Sequence, residues 1–233
     1  MQENIKSLLT QAPQFCCGSV IEIFYTENMG GTIMENQKNS THPYEPYIPE
    51  NATNLIVGTI PPYRFCPPHI ALEEDDVDFY YGSGDNYFWY LLSEVTGREL
   101  IFKNTEEAIS QRKKLLKDLQ VGITDMVGEC IHRGQKSDDN SLEIIKLKDL
   151  KKLLSERPKI DTLIYTSQFV ASLVNKCADK TYHYWIKPSR QGCIYIGEKL
   201  YRVIVLYSPS RSANRSVSEE DRLKQYRAVF GKK

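Results

Sequence analysis

Short apolar segments alternate with helical segments over most of this chain, and this alternation restricts the possible folds more than any other feature. The segment 54–57 is apolar and bounded by turn residues, which is typical of a strand buried on both faces. Further strands are predicted at 119–126, 161–166 and 199–207, with helical patterns between them. Because helices that join parallel strands pack on both faces of the sheet, the pattern predicts an α/β fold, a three-layer α/β/α sandwich with a central, mostly parallel four-stranded sheet.

Capping and turn residues set the predicted helix boundaries. Asp85 or Asn86 can cap a helix that Gly97 ends, and Ser167 can cap another that runs to Lys176. Further helices are predicted at 105–117, 140–157 and 218–230, and a hairpin turn at Gly197-Glu198 is predicted to join strands at 193–196 and 199–207.

Composition describes an ordinary globular chain of 233 residues, with 41% hydrophobic and 26% charged residues. No apolar run reaches the roughly 18 residues that a membrane span needs, and the first residues lack the pattern of a secretory signal. We therefore expect a cytoplasmic protein. Six cysteines without Cys-x-x-Cys spacing, and only four histidines, argue against a zinc site or a disulfide framework.

Charge and periodicity divide the chain only coarsely. Residues 1–42 are polar and largely lack a sustained period, so they are predicted to be an N-terminal appendage, with the α/β domain at 43–233. Thirty basic and thirty acidic residues cancel, so the charge of the whole chain gives no support for nucleic-acid binding. Any such support must come from local clusters.

Two polar loops each follow a predicted strand. The first loop, 58–62, reads Gly-Thr-Ile-Pro-Pro, and an aromatic segment, 80–89, follows it with Tyr-Tyr-Gly-Ser-Gly-Asp-Asn-Tyr-Phe-Trp. The second loop, 208–215, reads Ser-Pro-Ser-Arg-Ser-Ala-Asn-Arg. Because the carboxyl ends of strands in an open parallel sheet face one crevice where ligands bind, we expect both loops to line the same site.

Together these motifs, over residues 43–231, resemble the uracil-DNA glycosylase superfamily, most closely its hypoxanthine and mismatch branches. The resemblance implies an enzyme that flips a deaminated base, uracil or hypoxanthine, out of DNA and hydrolyses its N-glycosidic bond in base-excision repair. It implies a monofunctional DNA glycosylase whose partner is DNA that carries a damaged or deaminated base. Neither a metal nor an organic cofactor is required.

The resemblance assigns catalysis to Asn86 and Ser208. The first loop matches the motif Gly-x-x-Pro, but Ile60 stands where many relatives have a water-activating Asp or Asn, and its side chain cannot orient water. The aromatic segment supplies Asn86 instead; a helix cap is the other interpretation of Asn86, and Asp85 competes as the stronger base. Ser208 holds the position of a His or Asn and either donates a hydrogen bond to the departing base or belongs to a surface turn.

Other residues of the same motifs are predicted to hold the base and the DNA. Asp125 ends the second predicted strand, and its carboxylate either accepts the ring N–H of the base or caps the following segment. The predicted base-binding residues are Asp125, Phe65, Tyr81, Gly58 and Ile60. The predicted DNA-binding residues, which contact phosphates, are Ser210, Arg211, Ser212 and Arg215.

Two other classes of function fit parts of the sequence. A catalytically weak or inactive nucleic-acid-binding module of the same fold would fit Ile60 and Ser208 at positions where relatives carry catalytic groups. An α/β protein that binds a nucleotide or another small molecule in the same crevice would fit the zero net charge.

Overall fold

The computed structural model describes residues 39–133, 141–178, 190–211 and 217–231. Within these ranges the strands are β1 (Ser40–Thr41), β2 (Asn54–Gly58), β3 (Val121–Asp125), β4 (Val127–His132), β5 (Leu142–Leu147), β6 (Thr162–Tyr165), β7 (Gln191–Ile196) and β8 (Lys199–Val205). The helices are α1 (Phe88–Thr96), α2 (Glu106–Asp118), α3 (Leu150–Ser155), α4 (Gln168–Cys177) and α5 (Glu219–Phe230). None of these described helices combines the length and the apolar character that a membrane crossing requires.

The central sheet has the strand order β3-β2-β6-β8-β7. Its first four strands are parallel, and β7 pairs antiparallel with β8 through the predicted hairpin. The predicted α/β sandwich around a mostly parallel sheet is confirmed, with β7 as an additional antiparallel strand at the edge. The parallel register places Gly58 beside Asp125 and Val57 beside Tyr165, so these strands end at one edge of the sheet.

Helices cover both faces of this sheet because its strands are apolar on both sides. Leu55 and Val57 point into a core that contains residues of α3 and α4, whereas Ile56 points into a second core with residues of α1, α2 and α5. The alternation follows from the two-residue period of a strand. Helices α2, α4 and α5 begin as predicted, because Thr105, Ser167 and Ser218 each accept a backbone N–H of the first turn.

The start of α1 differs from the prediction. The helix begins at Phe88 after Tyr87, which makes no side-chain cap, and Gly97 ends it with a φ of 65°. Asn86 lies just before the helix, and its Oδ1 accepts the Phe88 N–H at 2.9 Å. Asn86 therefore makes a cap-like bond from outside the helix, and its own N–H donates to the Ser83 carbonyl.

The predicted helix over 140–157 is wrong in its first half. Residues 142–147 form β5, which pairs antiparallel with β4, and only Leu150–Ser155 is helical, with Asp149 as its cap. Strand β4 provides an edge with which this segment pairs, and Leu142 and Ile144, two residues apart on one face, both pack against the core. A tertiary partner thus overrides the local helical period. Strands β1, β4 and β5 form a second, three-stranded sheet.

Candidate active site

The carboxyl ends of β2, β3, β6 and β8 bring several of the predicted residues to one edge of the sheet. Gly58 and Asp125 end β2 and β3, and Thr166 follows β6. The described part of the second loop, 208–211, begins three residues after β8. The expectation that both loops lie at the same edge is therefore met by the backbone topology.

Gly58 lies where two polar side chains converge. A Cβ at this position would overlap the hydroxyl of Tyr81 and the carboxylate of Asp125. The Tyr81 hydroxyl also lies 2.9 Å from Oγ1 of Thr166. Only glycine leaves room for this arrangement. The structure thus brings together three of the predicted base-binding residues, and it adds Thr166, which sequence reasoning missed.

Tyr81 has a strained backbone at this point. Its φ is 54°, in the left-handed region that a residue with a bulky side chain rarely adopts. Its ring stacks on Phe88, with centroids 4.5 Å apart. Such strain persists only where the surroundings determine it, and it concentrates at functional sites. We infer that packing on Phe88 and the contact with Thr166 hold Tyr81 over Gly58.

His42 forms a buried pair with Asp125. His42 Nε2 lies 2.9 Å from Asp125 Oδ2, and the two side chains are only 1% and 5% exposed. The backbone N–H of Tyr44 donates to His42 Nδ1 at 3.0 Å. Because Nδ1 accepts this bond, the ring carries its proton on Nε2 and donates it to Asp125. One carboxylate oxygen is therefore occupied, and Asp125 is held as an acceptor.

The segment that carries His42 is itself anchored to the domain. Lys148 Nζ donates to the Tyr44 carbonyl at 3.1 Å, and the Tyr80 hydroxyl donates to the Glu45 carbonyl at 3.1 Å. Burial lowers the pKa of Lys148, while the charges of Asp125 and Glu45 oppose that shift. Sequence analysis missed His42 because it lies 83 residues before its partner. No spacing rule links the two positions.

Asn86 and the second loop are joined directly. Asn86 and Ser210 form an isolated antiparallel bridge, and the Tyr87 N–H donates to the Pro209 carbonyl at 2.9 Å. Asn86 also donates its own backbone N–H to the Ser83 carbonyl at 2.9 Å. The two predicted catalytic residues therefore stand on segments in contact, although more than a hundred residues separate them in the sequence.

Ser208 and Arg211 have different surroundings within the second loop. Ser208 is partly buried, and its Oγ accepts the Ser210 N–H at 3.3 Å. Arg211 is 57% exposed, with Nη1 placed 3.4 Å from Asp85 Oδ1 and its guanidinium over the Tyr87 ring. The predicted phosphate contacts Ser212 and Arg215 lie outside the described residues.

Two predicted base-binding residues are occupied by packing. Phe65 is 2% exposed, and the guanidinium of Arg64 lies over its ring at 5.6 Å. Ile60 is partly buried and packs against the core that contains Val57. Phe65 is thus enclosed, whereas Ile60 keeps a partly exposed side chain, and the role of both in base binding stays a prediction.

Two buried thiols lie near the first loop. Burial raises the pKa of Cys66 to about 12 and that of Cys130 to about 11. The Cys66 thiol donates to the Pro61 carbonyl at 3.5 Å. Both groups therefore stay protonated at neutral pH and are poor nucleophiles. In the described ranges no cluster of three or more His, Cys, Asp or Glu side chains could hold a metal ion.

A cleft of about 760 Å³ lies at the opposite edge of the sheet. Thr53, Gln120 and Asp161, which precede β2, β3 and β6, line it. None of the predicted site residues borders this cleft. The chemistry-bearing side chains are gathered at the carboxyl edge, which is the expected location for a site in an open α/β sheet.

The fold has a counterpart among solved structures, whereas no protein-family model and no curated protein matches the chain. The solution NMR structure of a "putative Uracil DNA glycosylase" from Methanosarcina acetivorans is 19% identical to the chain, with a TM-score of 0.52. The match covers 82% of this chain and 96% of that chain. At this identity the similarity shows a shared uracil-DNA-glycosylase-like α/β fold.

Proposed function

We propose that this protein is a DNA glycosylase that hydrolyses the N-glycosidic bond of a deaminated base, uracil or hypoxanthine, in DNA. The observation that carries the proposal is the bridge between Asn86 and Ser210, with the adjacent bond from Tyr87 to Pro209. It sets the predicted water-positioning residue and the predicted leaving-group loop side by side at the carboxyl edge of the sheet. This is the arrangement that the sequence motifs require.

The reaction needs groups for two opposite charges. Cleavage develops positive charge at the sugar and negative charge on the departing base, so a water and hydrogen-bond donors must lie on different sides of the bond. Asn86 Oδ1 uses one lone pair for the Phe88 N–H, and a second lone pair is available to orient water. Ser208 Oγ accepts the Ser210 N–H, which leaves its own proton to donate to a base carbonyl.

Asp125 gives the site a preference among bases. His42 occupies Oδ2, so Oδ1 is the acceptor for a single ring N–H. Uracil and hypoxanthine present such an N–H, whereas cytosine and adenine present a bare ring nitrogen that repels a carboxylate. Discrimination of this kind is strong, because a mismatched base leaves one oxygen of a buried carboxylate without a hydrogen-bond donor.

The test is an excision assay on matched duplexes. Duplexes with a single uracil, hypoxanthine, xanthine or mismatched thymine are incubated with the purified protein, and duplexes with cytosine or adenine at the same position serve as controls. We expect abasic product from uracil or hypoxanthine and much slower release from the controls. Salt-dependent binding without product on any duplex would contradict the proposal and select a binding module instead. Neither binding nor product would favour a small-molecule site.

The role of Asp125 is tested by Asp125→Asn, which keeps the shape and replaces one acceptor by a donor. We expect the ratio of excision rates for hypoxanthine and adenine to fall by about tenfold or more, which corresponds to about 1.4 kcal/mol of lost discrimination. The ratio does not depend on the fraction of folded protein. An unchanged ratio would remove Asp125 from the base-reading role.

A further inference from the structure

Asp76 is a fully buried carboxylate beside the candidate site. Arg64 donates to it twice, from Nε at 2.7 Å and from Nη2 at 2.8 Å. The backbone N–H groups of Glu73 and Gly84 donate to it at 2.8 and 3.0 Å. All four bonds end on one carboxylate, so Asp76 gathers three separate points of the chain around a single charge.

The bonds continue from Arg64 to Asn86. Nη2 of Arg64 also donates to Ser83 Oγ at 2.9 Å. The backbone N–H of Asp85 donates to the same hydroxyl oxygen at 3.2 Å, and the Asn86 N–H donates to the Ser83 carbonyl at 2.9 Å. Segment 83–86 is therefore tied at each of its four residues, and Asn86 is the last of them.

The same arginine connects this segment to the first loop. Arg64 lies in a short 3₁₀ helix, Tyr63–Phe65, that follows directly on the first loop, and the Phe65 N–H donates to the Pro62 carbonyl at 2.8 Å. The loop between Asp76 and Ser83 is closed by a backbone hydrogen bond between its own ends. The Val77 N–H donates to the Gly82 carbonyl at 2.7 Å, and a Cβ at Gly82 would overlap the Val77 carbonyl.

A buried ion pair is weak support for stability, because the cost of removing two charges from water offsets their attraction. The apolar residues of this loop already supply burial, since Val77, Phe79 and Tyr80 lie in the core. A bidentate pair with two further backbone donors fixes distances and angles, which apolar packing does less sharply. The Arg64–Asp76 pair is therefore better explained by the precise placement of the backbone around it than by a contribution to stability.

We propose that Arg64 and Asp76 are positioning residues that hold segment 83–86 so that the Asn86 amide is oriented before DNA binds. The inference rests on the proposed function, because Asn86 is the residue being positioned. The two side chains contact this segment at Ser83, Gly84 and Asp85, and not at Asn86 itself. Their effect on the reaction therefore passes through the segment.

Single-turnover kinetics test the proposal. The variants are Arg64→Lys, which keeps the charge and loses the bidentate fork, and Asp76→Asn. We expect the rate at saturating protein to fall by about tenfold or more, since small displacements of a catalytic group cost this much, while the half-saturating concentration changes less than about twofold. The matched control is Arg98→Lys, in the exposed Arg98–Asp118 pair at 3.0 Å, which should leave both quantities unchanged.

Amide hydrogen exchange in free protein gives a test that needs no activity. The Gly84 and Asn86 amides should be protected in the wild-type protein, and Arg64→Lys should speed their exchange at least about tenfold. The Met126 amide, which donates to the Gly58 carbonyl at 2.9 Å at the same sheet edge, should be unaffected. Unprotected Gly84 and Asn86 amides in the wild type, or an unchanged saturating rate in folded Arg64→Lys, would overturn the proposal. A wild type that excises no base would refute the proposed function and leave the exchange result standing.

Discussion

The two segments that meet at the candidate site are held by different kinds of bond. Segment 83–86 is tied to the ion pair of Arg64 with the buried Asp76, whereas the backbone of 207–211 is held by neutral groups and the exposed Arg211 side chain adds an ion pair with Asp85. The Tyr207 N–H donates to the Gln225 side chain at 2.6 Å, and the Pro209 carbonyl accepts the Tyr87 N–H at 2.9 Å. The position of segment 207–211 therefore depends in part on segment 83–86. We expect a substitution that displaces 83–86 to affect both segments, and a substitution in 207–211 to affect only that segment.

The largest expected effect is that of Asn86→Ala. It removes the amide that we propose orients the water, and we expect the excision rate to fall by about 10²- to 10⁴-fold, the range of a positioned catalytic group. The measurement is single-turnover excision of the best base in the panel. Asn104→Ala is the control, because the Asn104 side chain also accepts a backbone N–H, that of Asp78 at 3.2 Å, but lies away from the site. Equal rates for the two variants would disprove the assignment of Asn86.

The next effect is on stability at acidic pH, and it concerns only segment 83–86. Burial opposes ionisation of Asp76, but the bonds from Arg64, Glu73 and Gly84 outweigh it and lower its pKa below the ordinary 3.8. A carboxyl group whose pKa is lower in the folded protein than in the unfolded chain stabilises the fold at pH values above its unfolded pKa. This stabilisation is lost as the pH falls through the pKa of the folded state. As pH falls through 3.8 and below it, the unfolding free energy of the wild type should therefore fall more than that of Asp76→Asn.

Urea unfolding at a series of pH values measures this difference. Arg98→Lys should follow the wild type, because its pair with Asp118 is exposed. Parallel curves for the wild type and Asp76→Asn would mean that the ion pair contributes nothing specific to the first segment.

Ser208→Ala should have a smaller effect that stays within the second segment. Loss of one neutral donor to the departing base corresponds to about 1–1.5 kcal/mol, or about a tenfold slower excision. The Gly84 and Asn86 amides should keep their exchange protection. Ser172→Ala is a suitable control, since that exposed hydroxyl donates only to the Phe169 carbonyl at 2.7 Å. Faster exchange of the Asn86 amide in Ser208→Ala would mean that the position of segment 83–86 depends on segment 207–211, which is the opposite of our expectation.

Arg211→Ala should have the smallest effect on rate and a measurable one on salt dependence. If Arg211 binds a phosphate, the slope of log affinity against log salt should become shallower by about one unit. Asp85→Asn should strengthen binding slightly, because the Asp85 carboxylate lies 3.4 Å from Arg211 and competes with phosphate. Fluorescence anisotropy with a labelled duplex at several salt concentrations measures both. Identical slopes would exclude Arg211 from the DNA contact.

The sequence predicted those features that depend on neighbours along the chain. The short apolar run of Leu55, Ile56 and Val57 and the caps at Thr105 and Ser167 are local signals, and the structure confirms the sheet and helices built on them. The wrong helix over 142–147 shows the limit of local signals. An available strand edge decided that segment, and no short window contains this information.

The candidate site divides in the same way. Gly58 and Asp125 end neighbouring parallel strands, so their proximity follows from the topology, and Tyr81 belongs to a motif that the sequence also shows. His42 and Asp76 carry no motif. Each is defined by a buried polar group that needs a partner, and the partner comes from another segment of the chain. Only coordinates show such pairs.

The backbone amide of Tyr44 keeps its hydrogen at ordinary pH. His42 Nδ1 therefore cannot exchange a proton with the group that it faces. The His42 imidazole therefore cannot pass a proton from Asp125 to the Tyr44 amide. The hydrogen bond from His42 fixes one oxygen of Asp125 in place and leads no further than the Tyr44 amide, so a proton that reaches or leaves this carboxylate must travel by its other oxygen.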